Sequence, residues 1–341
     1  MNRPLKFVVA CIAAGVAAAS FASEAVYRYR GADRDARLLE NARKEGRVVL
    51  YTSLAPTESG PLGQAFENKT GVKVEIFRTI SEKVVQRALT EARAKRFAFD
   101  VVETNGPEME IMAREKIFSD FHSPYLADLP PNAIPKHRQW IPDRVNFFVV
   151  AFNTAKVRRE ELPKNYQGFL DSRWKGRIGL EATDAEWMAT LVKLWGESAG
   201  MGYFRQLAEM KPDVRKGHVL LAELIAAGEI PVGLTVYNSN AESLKRRGAP
   251  IDWLPVEPVV GRPQGIGVAR NAPHPHAALL FADFVLSPEG QELLNSMGRV
   301  PVSTKVKTDL NRFPYTMVDP VTVLDEQEKW NKLWEGLFIR K

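Results

Sequence analysis

The sequence predicts an α/β protein of two lobes, each a mixed sheet flanked by helices, with long strands passing between them. Three observations predict it. Residues 46–105 hold two short apolar β-prone runs, 48–51 and 72–77, around a helical segment that stops at Lys69-Thr70-Gly71. A third run, 99–103, breaks into Thr104-Asn105-Gly106-Pro107. Strand, helix and parallel strand form a βαβ arrangement whose small polar groups gather at the carboxyl ends of the strands, where open α/β sheets bind ligands. The second observation is that βα units recur over 176–247. The third is the run 144–153, RVNFFVVAFN, which has no turn residue and is long enough to leave one lobe for the other. Two βα lobes joined by such strands imply a hinge with a cleft between them.

The elements follow in order. Arg3 and Lys6 precede an apolar or small-residue run over 7–21, and Ser20-Phe21-Ala22 supplies the small residues a signal peptidase reads. A secretory signal peptide at 1–22 is the expectation, with an uncleaved anchor as the alternative; roughly fifteen apolar residues are short for a membrane span. Cys11, the only cysteine, follows Val8-Val9-Ala10 in the manner of a lipid-attachment site. Only about four apolar residues precede it, too few for a usual signal. Cleavage after Ala22 leaves 319 residues and no cysteine, hence no disulfide framework and no thiol chemistry. It also takes the formal charge from +6 to +4. That mild excess, without long basic runs, speaks against nucleic acid and membrane partners. Lys245-Arg246-Arg247 reads as a solvated helix end.

An amphipathic helix precedes the first strand, and the proline-rich stretch 125–142 reads as an extended surface connection. In the second lobe 176–180 is a strand and 182–195 a helix. A helical segment covers 214–228, a buried strand 231–237, a helix 238–247 and a strand 251–256. A loop at 257–264 leads to a strand at 265–269; Arg262 in it reads as a solvated loop arginine, with pairing to an anionic ligand as the alternative. Helices follow at 277–286 and after Pro288, where Glu289 suits the positive helix end. A last amphipathic helix covers 324–337. The lobes are expected at 23–149 plus 258–341, and at 150–257.

EGRVVLYTSL, FENKTGVKVE, DVVETN, FNTAKV, RWKGRIGL and, most specifically, APHPHAALLFADFVLSPEGQELL resemble the iron(III)-type solute-binding proteins of bacterial ABC importers. The resemblance covers about 41–302. It implies a type 2 periplasmic-binding-protein fold that closes by hinge motion over a ligand and delivers it to a membrane permease. Ferric-binding members present two adjacent tyrosines at the end of the second-lobe strand; here that place holds Tyr237-Asn238. They commonly add a His or acidic ligand after the first strand and a Glu near the third, where this chain has 52–57 (TSLAPT) and Thr104-Asn105. A hard ferric ion needs several anionic oxygen donors, and one phenol among neutral amides and hydroxyls is a poor set.

Four places put small polar residues at a helix start: 53–59 with Ser53, Leu54 and Thr57; Thr104-Asn105; Thr183-Asp184; and Asn238-Ser239. Each alone reads as an N-cap. Together, aimed at one cleft, their N–H groups and helix dipoles favour a phosphate, phosphonate or carboxylate. Tyr237 ends its strand as either a core aromatic or a ligand contact, and is the metal donor if iron binds. Glu181 and Asp184 would suit an ammonium group or a metal. Trp187 reads as packing. His274-Pro275-His276 reads as a loop and cap, and His122, His137 and His218 show no metal-ligand spacing.

The expectation is a non-enzymatic periplasmic receptor, a monomer without cofactor, that passes a small anionic ligand to an ABC permease. The alternatives are a ferric-ion-binding protein with a synergistic anion, a receptor for a separate sensor, or a hydrolase of unrecognised type. No phosphate loop, H-E-x-x-H or dinucleotide fingerprint is present.

Overall fold

The structure, a computed structural model, describes residues 23–339. The signal-peptide and Cys11 readings lie outside them. No described helix is long and apolar enough to cross a membrane. The chain forms two compact units. The first takes the described part of Met1–Arg144 with Gln264–Leu294 and Pro301–Lys307. The second takes Val145–Pro263, Asn295–Val300 and the described part of Thr308–Lys341.

In the first unit, helix α1 (Arg34–Glu45) leads into strand β1 (Arg47–Thr52). Helix α2 (Pro56–Thr70) follows and stops at Gly71, whose φ of 77° is open to glycine and strained for a side chain. Strand β2 (Lys73–Arg78), helix α3 (Ser81–Arg93), strand β3 (Val101–Asn105), helix α4 (Gly106–Arg114) and strand β4 (Phe118–Ser119) complete the run. β1 pairs in parallel with both β2 and β3, so the predicted βαβ unit forms in register Val48 to Val74 and Leu50 to Val101. Its core is the inward set Val48, Leu50, Leu62, Phe66, Val101 and Met109.

The stretch 125–142 is not simply a surface connection. Short 3₁₀ turns at Pro124–Asp128 and Pro131–Ala133 bend it, and Leu126, Leu129 and Trp140 are buried. Prolines set the local path while the three apolar side chains tie it down. Strand β5 (Ile141–Asn153) then runs without an exposed residue from the first unit into the second.

The second unit holds β6 (Ile178–Glu181), α5 (Ala185–Trp195), α6 (Glu197–Glu209), β7 (Asp213–Arg215) and α7 (His218–Ala227). Next come β8 (Val232–Tyr237), α8 (Asn238–Arg246), β9 (Ile251–Leu254) and β10 (Val259–Ala269). β6 is parallel to β7 and β8, while β8 and β9 are antiparallel to β5. Parallel pairing brings the carboxyl ends of β6, β7 and β8 to one edge. The expected helix over 214–228 begins with the short strand β7, because Asp213, Val214 and Arg215 pair with 179–181 before Gly217 releases the chain.

Of the loop expected at 257–264, only Glu257 and Pro258 lie outside a strand. β10 starts at Val259 and all eleven of its residues are buried. Gly261-Arg262-Pro263 reads as a turn locally, yet 259–261 pair with a later strand and 264–268 with β3, so Pro263 falls between two ladders. α9 (Pro275–Leu286) returns to the first unit and buries Leu279, Phe281 and Phe284; α10 (Pro288–Ser296) and the two-residue β11 (Val300–Pro301) follow.

The C-terminal segment also departs from expectation. β12 (Tyr315–Met317) is followed by two helices, α11 (Pro320–Asp325) and α12 (Gln327–Trp334), and a π-turn at Glu335–Ile339. It belongs to the second unit, whereas the sequence assigned 258–341 to the first lobe. Trp330, Trp334 and Phe338 insert into the core formed by Trp187, Phe204, Leu180 and Tyr166. Burying three aromatics decides the matter, and amphipathicity alone does not say against which sheet a helix lies.

Candidate functional site

In the first unit the ends of β1 and β3 meet. Thr104 Oγ1 donates to Ser53 Oγ at 2.9 Å, and Ser53 N–H donates to the Glu103 carbonyl at 3.2 Å. Thr104 is buried, and Ser53 is half-buried. Asn105 donates through its amide to Ser81 Oγ at 2.8 Å. Leu54 is buried, and its N–H donates to Thr52 Oγ1 at 2.9 Å. Thr57 is exposed and donates to Glu58 at 3.0 Å. The structure thus gathers Ser53, Thr104 and Asn105 and leaves Leu54 as packing.

Beneath these hydroxyls lies a charged group the sequence reading missed. Glu103 accepts from both Thr52 and Arg144, and Arg144 also donates to Asp143 at 3.0 Å. Burial raises the Asp143 carboxyl to about 7 against the pull of Arg144. Burial opposes the charge of Arg144 too, but Glu103 and Asp143 outweigh it and raise its pKa. The available signal was three ionisable residues inside runs that otherwise read as buried strand.

The cap readings do not hold at any of the four helix starts. The N-caps are Ala55 for α2, Asn105 for α4, Asp184 for α5 and Tyr237 for α8, and none accepts a side-chain capping bond. The first-turn N–H groups of these helices have no side-chain acceptor at the cap position.

In the second unit Glu181, Asp184, His218, Tyr237, Glu186 and Arg262 converge. Glu181 ends β6 and accepts from Thr183 N–H at 2.5 Å, Thr183 Oγ1 at 2.7 Å and Gly217 N–H at 2.7 Å. His218 begins α7; its Nε2 lies 3.3 Å from Asp184 Oδ1 and 4.0 Å from Glu181 Oε2. Its ring stacks on Tyr237 with centroids 3.7 Å apart. The Tyr237 hydroxyl accepts from Arg262, which also pairs with Glu186 and lies 3.4 Å from Asp184. Arg262 is 4 % exposed, so the solvated-loop reading is wrong: β10 places it in the interior.

Burial raises the pKa values of Asp184, Glu186 and Tyr237, the last well above the ordinary 10.0. Burial opposes ionisation of Glu181 as well, but His218, Thr183 and Gly217 lower it. Burial lowers the His218 pKa, and Asp184 with Glu181 raises it further than burial lowers it. Among the described residues, Glu181, Asp184 and His218 offer ligand atoms all within 4.8 Å of one another, although their spacing in sequence gave no metal pattern.

Two remaining candidates are committed to the chain itself. The Asn238 amide donates to the Leu310 carbonyl at 2.9 Å and accepts from Phe147 N–H at 3.3 Å. Trp187 is fully buried packing. His274 and His276 sit at the start of α9, where Asp100 accepts from His274 N–H at 2.8 Å and Glu45 from Ala277 N–H at 2.8 Å. The cap is there, but carboxylates from other elements provide it. Lys245 and Arg246 pair with Asp252 and Glu242, as a solvated helix end does. His137 pairs with Glu110 at 2.9 Å. His122 has its pKa lowered by burial, then by Arg30 and Arg34.

A family model described as bacterial extracellular solute-binding protein matches residues 62–312. The Fe(3+)-binding periplasmic protein of Serratia marcescens is 23% identical over 266 residues, covering 73% of this chain and 76% of its own. The major ferric iron-binding protein of Neisseria meningitidis is 21% identical, covering 84% of this chain and 92% of its own. In fold, the chain is similar to iron-bound HitA from Pseudomonas aeruginosa, with TM-score 0.75, 21% identity and coverage of 85% and 99%. It is equally similar to the periplasmic binding protein AfuA from Actinobacillus pleuropneumoniae with fructose-6-phosphate bound: TM-score 0.76, 22% identity, coverage of 87% and 99%. The expected two-lobed α/β binding-protein fold is borne out.

Proposed function

Because the chain belongs to the bacterial extracellular solute-binding protein family, we propose that it is the periplasmic substrate-binding component of an ABC importer and captures a small anionic organic solute. The family binds solutes, and the role is capture and delivery to a permease without chemistry on the ligand.

One observation carries the anionic reading. α2 and α4 start at the strand ends that bear Ser53 and Thr104, each with proline in its first turn and no side-chain cap. Uncapped N–H groups, positive helix ends and adjacent hydroxyls stabilise a phosphate or carboxylate. The similarity to AfuA, solved with a sugar phosphate, supports the same class.

The relatives named for ferric ion support a receptor of ferric-binding type as the lineage. The ion itself is less well supported as cargo. Tyr237 is a single tyrosine, its hydroxyl accepts from Arg262, and burial holds it protonated far above neutral pH. A phenol in that state is not the anionic donor a ferric ion requires.

The test is a thermal-shift and calorimetric screen with inorganic phosphate, hexose phosphates, citrate and ferric chloride. A phosphate- or carboxylate-bearing solute should stabilise the protein by mass action. Ser53→Ala with Thr104→Val should weaken that solute by about tenfold or more, since each hydroxyl bond contributes roughly 1 kcal/mol. Stabilisation by ferric chloride alone, with a visible phenolate band lost in Tyr237→Phe, would overturn the reading.

A further inference from the structure

We infer that Glu181, Asp184 and His218 form a binding site for a divalent first-row cation of the zinc type. The inference stands on the second unit alone and does not depend on which solute is carried.

Three observations converge. First, the donor atoms are already gathered by the parallel edge of β6, β7 and β8. The His218 Nε2 to Asp184 Oδ1 distance is 3.3 Å, the Nε2 to Glu181 Oε2 distance is 4.0 Å, and all three donors lie within 4.8 Å. Tetrahedral zinc, with bonds of about 2.0–2.1 Å to nitrogen and oxygen, separates its donors by about 3.3–3.4 Å. One pair stands at that spacing, and small side-chain rotations close the others.

Second, Asp184 is fully buried, yet its Oδ2 has no hydrogen-bond partner. Buried carboxylate oxygens are ordinarily satisfied, so this oxygen is an acceptor awaiting a donor or an ion. His218 Nδ1 likewise has no hydrogen-bond partner, and the ring is held by stacking on Tyr237.

Third, carboxylates dominate the cluster. Glu181, Asp184 and Glu186 bring three; the Arg262 guanidinium donates to Glu186 and the Tyr237 hydroxyl and lies 3.4 Å from both Asp184 Oδ1 and His218 Nε2. Its 3.4 Å separation from Asp184 exceeds the 2.7–2.9 Å of a strong charged hydrogen bond. One imidazole and two carboxylates suit zinc and its neighbours better than magnesium or calcium, which prefer all-oxygen sets. Three protein donors leave a coordination position for water or an anionic oxygen.

The experiment uses the tag-free mature protein, stripped with chelator and titrated with Zn²⁺ by calorimetry and by competition with a chromogenic chelator. One Zn²⁺ per chain is expected. Glu181→Gln and His218→Ala should each weaken it by about tenfold or more, and His137→Ala in the first unit should leave it unchanged. Co²⁺ absorption of the wild-type protein supplies a readout that needs no variant, with four-coordinate bands expected. Absence of Zn²⁺ binding, binding unaffected in folded His218→Ala, or only six-coordinate aquo-type Co²⁺ spectra would each overturn the site. Solute melting shifts recorded in EDTA separate this from the proposed function: loss of the metal site leaves the anion shift in place, and failure of the anionic reading leaves Zn²⁺ binding in place.

Discussion

Arg262→Met tests the charge arrangement of the second unit most directly. The guanidinium is 4 % exposed, and its carboxylate partners Asp184 and Glu186 are 0 % and 7 % exposed. Methionine keeps much of the volume and the packing over the Phe148 and Tyr237 rings, which the guanidinium carbon approaches to 5.2 and 5.6 Å. What is lost is the charge. Removing one partner from a buried ion pair costs about 3–5 kcal/mol, because the orphaned carboxylates remain desolvated. The loss depends on pH in a definite direction. Burial already raises the pKa values of Asp184 and Glu186, and deleting Arg262 raises them further. A carboxyl whose folded pKa is raised disfavours folding above that pKa and is relieved by protonation below it. The destabilisation should therefore be largest near pH 7 and shrink toward pH 5. Adding Glu186→Leu should recover more than half of the loss, since replacing a whole buried pair with apolar groups is often close to neutral. Urea unfolding followed by tryptophan fluorescence is the assay. Six of the seven tryptophans, all but Trp140, lie in the second unit, so the signal reports the perturbed region. A loss under about 1 kcal/mol at pH 7, or an equal loss at both pH values, would refute the reasoning.

Three further outcomes follow from the packing of the two units, each taken by itself. In Gly290→Ala a Cβ would stand 2.1 Å from the Phe284 carbonyl oxygen and 2.9 Å from that of Val285, both backbone atoms. The cost should be about 3 kcal/mol or more by denaturant unfolding, and an unchanged midpoint would contradict the packing of α9 against α10. Trp334→Ala removes a ring packed against Trp187 and Phe338 and the 2.8 Å indole bond to the Ala182 carbonyl, and should cost about 3–5 kcal/mol; a melting temperature within a degree or so of wild type would place the C-terminal helices outside the second unit's core. Burial raises the Asp283 carboxyl from 3.8 to about 6 although Arg34 lies 2.7 Å away. Its stabilising contribution is complete below the unfolded value and is lost as pH rises through 6, a change of about 3 kcal/mol. Stability relative to Asp283→Asn should fall by that amount between pH 4 and pH 7, and a flat difference would show that the ion pair outweighs burial.

Local chemistry made the first unit readable. β1, α2 and β3 alternate as the apolar periods require, Gly71 stops α2 as its sequence position demands, and Ser53, Thr104 and Asn105 fall at strand ends because their small polar side chains interrupt apolar runs. Elsewhere local signals conflicted with distant pairing. Arg262 next to Pro263 reads as loop until ladders from two separate strands draw both into β10. The helices after Pro320 show an apolar stripe, but a stripe does not name the sheet it will cover.

The sequence by itself determined the α/β class, the repeated βα units and the family resemblance, because periodicity, turn residues and short motifs are written in neighbouring positions. Only the tertiary structure decided which unit the C-terminal helices join, and which charges share a buried site. Glu181, Asp184, His218 and Arg262 span more than eighty positions of chain, and their chemistry arises from desolvation and distances near 3–4 Å that parallel strand pairing creates. No spacing along the chain encodes that, since Coulomb interaction and burial act through space and not along sequence.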